Sequence, residues 1–106
     1  MIADEHAQRI SKDLPPLSVS EVDELLRETP SWIRADNSIE RTVEFESFRE
    51  AVEFVNRVAD IAEREDHHPD MCISYNKVRL VLSTHKIGGL SRNDFILAAK
   101  IDRLLG

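Results

Sequence analysis

His67-His68-Pro69-Asp70-Met71-Cys72-Ile73-Ser74-Tyr75-Asn76-Lys77-Val78-Arg79-Leu80-Val81-Leu82 is the stretch that decides the fold. After Pro69 the pattern has period two. Met71, Ile73 and Tyr75 alternate with Cys72 and Ser74, and Val78, Leu80 and Leu82 alternate with Arg79, Val81 and Ser83. Such alternation marks strands with one buried face. Asn76-Lys77 reads as the two-residue turn between them, because Asn tolerates the positive φ that such turns require. That register sets Tyr75 opposite Val78 and gathers Met71, Ile73, Tyr75, Val78, Leu80 and Leu82 on one apolar face. His68, Asp70, Ser74, Arg79, Ser83 and His85 share the polar face. It also sets His68 opposite His85, Pro69 opposite Thr84 and Asp70 opposite Ser83, with opposed Cα atoms about 4.5–5.5 Å apart. An imidazole pair is therefore predicted at the open end of the hairpin.

On the N-terminal side of this hairpin, Ser47-x-x-Glu50 has capping-box spacing. Behind it Phe48, Val52, Val55, Val58, Ala59 and Ala62 fall on one face at three- and four-residue steps, which predicts a helix over about 47–65. Phe54 and Ile61 lie off that stripe and are available to pack against another subunit. Before the helix, Trp32-Ile33 and Ile39 to Phe45 flank Ala35-Asp36-Asn37-Ser38, a turn composition, and predict a second hairpin. Ser18-x-x-Glu21 opens a short helix over about 19–28 that Thr29-Pro30 ends. Residues 1–17 are a polar lead-in closed by Leu14-Pro15-Pro16-Leu17, and 18–106 form a single domain. Downstream, Gly88-Gly89 breaks the chain, and Ser91-x-x-Asp94 opens a last helix carrying Phe95, Ala98, Ile101 and Leu105 on one face. The order α-β-β-α-β-β-α predicts an α+β fold: a four-stranded, mainly antiparallel sheet with three helices on one face.

At 106 residues the chain fits one domain, and its 42% hydrophobic and 32% charged residues suit a folded protein rather than a disordered one. With 14 Lys and Arg against 20 Asp and Glu, the net charge of −6 argues against direct nucleic-acid binding. No apolar run approaches the roughly 20 residues needed to span a bilayer, so no membrane partner is expected. The charged N-terminus has no signal-peptide pattern. The single Cys72 can form no internal disulfide and completes no Cys-based zinc spacing, so a reducing, cytoplasmic setting is expected.

Chemistry concentrates around His67, His68 and His85, with Glu63, Asp66 and Asp94 nearby in the predicted fold. Imidazoles titrate nearest neutral pH, and an adjacent carboxylate fixes their tautomer. Two such groups can remove one proton and deliver another, as elimination of water requires. Plainer readings stand beside this. A His-His pair is often incidental, Asp94 occupies the position at which a capping box uses an acid, and Glu63 and Asp66 fit a solvated helix end. Adjacent residues in extended chain diverge, so His67 and His68 are poorly placed to share a metal ion, and none is expected. Cys72 lies in mid-strand and no Ser-His-Asp spacing stands out, which disfavours covalent catalysis.

Glu63-x-x-x-His67-His68-Pro69, five residues to Tyr75, nine to His85 and eight to Asp94 resembles the signature of the pterin-4a-carbinolamine dehydratases. Tyr75-Asn76-Lys77-Val78, Thr84-His85 and Gly89-Leu90-Ser91 are similar to that family as well, and the likeness covers about residues 14–105. It implies a cofactor-free enzyme that dehydrates 4a-hydroxytetrahydrobiopterin to quinonoid dihydropterin in tetrahydrobiopterin recycling. His67, His68 and His85 match the family's active-site histidines. Glu63, Asp66 and Asp94 match its surrounding acids, with Pro69 and Met71 beside the pterin. Met71 stands where animal members carry tryptophan, so an apolar but non-aromatic wall is expected, and Asn93 stands where they carry arginine. Members associate as dimers and tetramers, and a four-stranded sheet with two open edges fits a homodimer or homotetramer. A sedimentation mass near 12 kDa at micromolar concentration would count against that expectation. The competing class is a non-catalytic interaction protein or dimerisation cofactor on the same scaffold.

Overall fold

The computed structural model describes residues 1–106. Three helices, α1 (Val19–Leu26), α2 (Phe48–Glu65) and α3 (Arg92–Leu104), alternate with two hairpins, β1 (Ile33–Ala35) with β2 (Ser38–Glu44) and β3 (Asp70–Ser74) with β4 (Lys77–Leu82). All three strand pairings are antiparallel, in the order β1-β2-β4-β3, which agrees with the α+β sheet-and-helix expectation. The central strands put Ile39 opposite Leu82 and Val43 opposite Val78, and α2 packs on β3 and β4 beside α3.

The helix starts follow from local chemistry. Ser18 accepts the Glu21 N–H at 3.2 Å while the Glu21 carboxylate accepts the Ser18 N–H at 2.8 Å, closing the predicted box. Ser47 accepts the Glu50 N–H at 3.1 Å. Asp66 ends α2 in the left-handed region at φ 52°, and both its N–H and that of His67 return to the Ala62 carbonyl. This sharp exit aims His67 and His68 away from the helix axis.

Two expectations shift. The hairpin turns at Tyr75-Asn76, not Asn76-Lys77, so Ser74 faces Lys77 and Ile73 faces Val78. Tyr75 takes the positive φ of 53°, and Asn76 is spent otherwise. Its amide donates to the Phe45 carbonyl at 2.7 Å, and its own carbonyl accepts the Phe45 N–H at 2.8 Å. A slip of two residues preserves which face each side chain takes, so Val78, Leu80 and Leu82 remain fully buried. It removes the direct opposition of His68 and His85, because the ladder ends at the Asp70–Val81 pair and its register runs on toward Ser83 rather than His85 opposite His68, and it leaves Tyr75 exposed in the turn.

The second shift is rotational. Phe54 and Ile61 are buried with Ala51, Val58 and Ala62, whereas Phe48 is exposed and Val52, Val55 and Ala59 are half-buried. Apolar residues cover so much of α2 that periodicity alone leaves the core sector ambiguous by about one residue step, or 100°. The Phe45 ring, at the end of β2, settles it by packing on Phe54 with centroids 5.0 Å apart. Phe54 and Ile61 are therefore not free for another subunit.

The N-terminal stretch also contributes to the core. Ile2 and Ala3 are buried against α3. Leu17 N–H bonds the Leu90 carbonyl at 2.9 Å, and a Cβ on Gly89 would come within 2.8 Å of Pro16, so only glycine permits this approach.

Candidate active site

Between the end of α2, the loop after β4 and the N-terminal segment lies a cavity of about 650 Å³. His67, His68 and His85 line it, together with Glu65, Asp66, Ser83, Thr84, Lys86 and Asn93. The three imidazoles thus converge through loop geometry rather than through the ladder. His85 opens a 3₁₀ turn (His85–Ile87) that Gly88 closes at φ 68°, and the Thr84–Gly89 bridge holds that turn against the sheet.

His67 Nε2 lies 2.6 Å from Asp94 Oδ1, in a setting where the two side chains are 13% and 0% exposed. Asp94 Oδ2 accepts the Thr84 hydroxyl and the Ser91 N–H, each at 2.9 Å. Thr84 spends its one proton on Asp94, so the Ser91 hydroxyl, 2.7 Å away, donates to Thr84. The carboxylate accepts on both oxygens, which fixes Nε2–H as the His67 donor and leaves Nδ1, with no partner in the chain, as its free nitrogen. The capping role and the histidine role expected of Asp94 turn out to coexist on its two oxygens.

His68 Nε2 reaches Glu63 Oε2, also at 2.6 Å, with both side chains open to solvent. His85 is exposed and has no side-chain hydrogen bond. Asp66 lines the cavity, while Glu63 lies outside it and Asp94 behind His67. Pro69 is buried and does not line the cavity. Met71 does not line it either. The alternation of β3 turns Met71 inward, against the core, so the expected apolar wall is absent from this position. No three His, Cys, Asp or Glu side chains are placed to hold a metal ion.

Several lining residues carried no sequence signal. Ala7, Gln8, Arg9 and Ile10 form one wall of the cavity, although nothing periodic or capped marks them. Glu65 accepts the Ala7 N–H at 2.7 Å and contacts His6 Nδ1 at 3.0 Å. Burial alone would raise its carboxyl, but the bonds from His6 and Ala7 and the charge of Lys100 hold it below the ordinary carboxylate range. Thr84 stands out in the sequence beside His85 in the family likeness; its bond to Asp94 is what the sequence did not show.

Known proteins that share one family description are similar to this chain. The profile of the family described as "Pterin 4 alpha carbinolamine dehydratase" matches residues 15–104. A Nitrosomonas eutropha protein named "Putative pterin-4-alpha-carbinolamine dehydratase" is 46% identical over 105 residues, covering 98% of this chain and 93% of its own. A protein of the same name from Thermomicrobium roseum is 50% identical over 80 residues, covering 76% of this chain and 86% of its own. The crystal structure of a "transcriptional coactivator/pterin dehydratase" from Brucella melitensis superposes with a TM-score of 0.82 at 34% identity, covering 86% of this chain and 99% of that one. The chain belongs to the pterin-4-alpha-carbinolamine dehydratase family.

Proposed function

We propose that this protein is a hydro-lyase that removes water from a 4a-hydroxytetrahydropterin to give quinonoid dihydropterin, as in tetrahydrobiopterin recycling. The C4a–O bond breaks, the N5 proton is lost, a C4a=N5 double bond forms and water leaves. No electrons are gained or lost. A base at N5 and an acid at the departing hydroxyl meet the demand of the reaction. His67 is assigned the base: Nδ1 is free, and Asp94 behind it stabilises the imidazolium that forms. His85, free at both nitrogens, is assigned the acid, and His68, paired with Glu63, positions the pterin. Asp66 faces the substrate from the same rim.

The single observation that carries the reading is one cavity lined by three imidazoles, one of them backed by a fully buried carboxylate. A scaffold used only for binding has no physical need of that pair. The test is stopped-flow dehydration of authentic 4a-hydroxytetrahydropterin. Folded wild type should accelerate it, and His67→Ala or His85→Ala should each lower the rate about 10²–10⁴-fold. No acceleration by folded wild type would refute the enzyme and leave a partner-binding role, the other half of the Brucella protein's description. The same reading expects a homo-oligomer in the cytoplasm. It is supported by the two edge strands β1 and β3, the exposed Phe48, and the free, exposed Cys72.

A further inference from the structure

The N-terminal segment that walls the histidine cavity lies outside the stretch matched by the family profile, which begins at residue 15. It is nonetheless tied down at successive points. Lys100 donates to the Ala3 carbonyl at 2.9 Å, and Arg92 grips the Glu5 carboxylate with two bonds of 2.7 and 2.6 Å. Glu65 takes the Ala7 N–H. The most specific tie is Asn93, which is 5% exposed. Its Oδ1 accepts the Gln8 N–H at 2.9 Å and its Nδ2 donates to the Gln8 carbonyl at 2.7 Å, so one carboxamide reads a residue's backbone as a neighbouring strand would. Both polar ends of Asn93 are used in this way, and it acts on the cavity through the segment it holds.

The residue after this clamp is different. Arg9 N–H and C=O have no partner in the chain, and Arg9 lines the same cavity as the three histidines. Gln8, Ile10 and Asn93 also border a second cavity of about 490 Å³ on the far side, so the segment is the partition between the two spaces.

We infer that Ala7–Ile10 are a substrate-binding wall, that the free backbone pair of Arg9 bonds the amide edge of a pterin's pyrimidine ring, and that Asn93 is the positioning residue that holds the wall in place. The inference rests on the dehydratase reading for its ligand. Arg9 offers one free donor and one free acceptor on its backbone, and a cyclic amide edge presents the complement. A wall held by pairs of hydrogen bonds is pre-organised, which raises affinity by removing the ordering entropy from the binding step.

The experiment measures kcat and KM for 4a-hydroxytetrahydropterin, and Kd for an unreactive dihydropterin, in wild type, Asn93→Ala, Arg9→Pro and Arg9→Ala, with thermal melts to establish folding. Arg9→Pro deletes the N–H offered to the ligand and removes neither of the Gln8 atoms that Asn93 bonds. Asn93→Ala deletes the clamp. Each should raise KM and Kd about tenfold, the equivalent of one good hydrogen bond, with a smaller change in kcat. Arg9→Ala, which restores the N–H, should recover most of the affinity that Arg9→Pro loses. If Asn93→Ala fails to fold, Arg9→Pro decides alone, since Arg9 packs into no core. Wild type that turns over while folded Arg9→Pro and Asn93→Ala keep Kd within twofold would overturn the wall and leave the dehydratase standing. Wild type that binds the dihydropterin without turnover would overturn the dehydratase, and Kd alone would then judge the wall. Wild type that neither binds nor reacts would overturn both.

Discussion

Two imidazole–carboxylate pairs sit one residue apart in this chain, and their nitrogen–oxygen distances are the same. His67 meets Asp94 at 2.6 Å and His68 meets Glu63 at 2.6 Å. Their surroundings differ in every other respect. Asp94 is fully buried and accepts three donors, whereas Glu63 and His68 are 77% and 53% exposed and have only each other. Near water the Coulomb attraction is largely screened, and holding two mobile side chains together offsets most of what remains. Behind His67 water is excluded, the attraction is stronger, and loss of His67 leaves a buried carboxylate short of a partner. Distance alone therefore says little about what a pair does. The buried one can fix a tautomer and stabilise a transient imidazolium, while the exposed one can only bias where an imidazole points.

The sharpest way to break this contrast is at Asp94. Asp94→Ala leaves His67, the Thr84 hydroxyl and the Ser91 N–H without their shared acceptor. It should destabilise the fold by several kcal/mol, about 1–3 for each buried donor left unpaired, read by urea unfolding. Asp94→Asn keeps the volume but leaves one oxygen to accept and puts a donating NH2 in place of the other, so the His67 tautomer is no longer fixed. Its kcat should fall ~10²-fold or more while KM moves little. Retention of kcat within threefold in folded Asp94→Asn would remove His67 from the base role.

Which half of the contrast was legible follows from what kind of information each half needs. That Glu63, Asp66 and Asp94 lie near the three histidines was expected from the sequence, whereas which acid meets which imidazole was not, and the strands' faces were readable as alternation. Even the misplaced turn kept Val78, Leu80 and Leu82 inward, because the error was an even number of residues. The choice between Asn76 and Tyr75 for the positive φ depended on Phe45, thirty-one residues earlier, which claims the Asn76 amide. The core sector of α2 depended on the same Phe45. The N-terminal wall was invisible for a related reason. Its order comes from Asn93, Glu65 and Arg92, which lie 58 to 87 positions away, and no local pattern carries that.

That wall supplies a third carboxylate–histidine pair, intermediate in character, which sharpens the comparison through pH. Glu65 is 8% exposed and His6 76%. Burial pushes the Glu65 carboxyl up, yet His6, Ala7 N–H and Lys100 hold it below its ordinary value of 4.5. Glu5 is lowered chiefly by its bond to Arg92, and Asp4 by its bond to Arg103. A carboxyl held below its unfolded value stabilises the folded chain above that value, and the contribution is lost as pH falls through the lower folded value. All three groups have the same sign. Amide exchange at Ala7 and Gln8, corrected for intrinsic rate, should therefore accelerate severalfold as pH drops below about 4.5 and stay flat between neutrality and that point. In Glu65→Gln the amides should exchange faster at neutral pH and respond less to acid. Exchange that rises steadily from pH 7 would mean that these carboxylates do not hold the segment.

The smallest effect belongs to the exposed pair. Glu63→Gln retains the length of the side chain and removes its charge, at a site where both partners are more than half exposed. Its stability change should stay below about 1 kcal/mol, and raising the salt concentration should shrink the difference further, since screening already does most of what the substitution does. If His68 only orients the pterin, Glu63→Gln should raise KM a few-fold and leave kcat close to wild type, the reverse of the pattern expected for Asp94→Asn. Loss of kcat in Glu63→Gln comparable to that in Asp94→Asn would place the proton chemistry on His68, and would mean that the buried carboxylate serves the helix start and the Thr84 loop more than it serves the reaction.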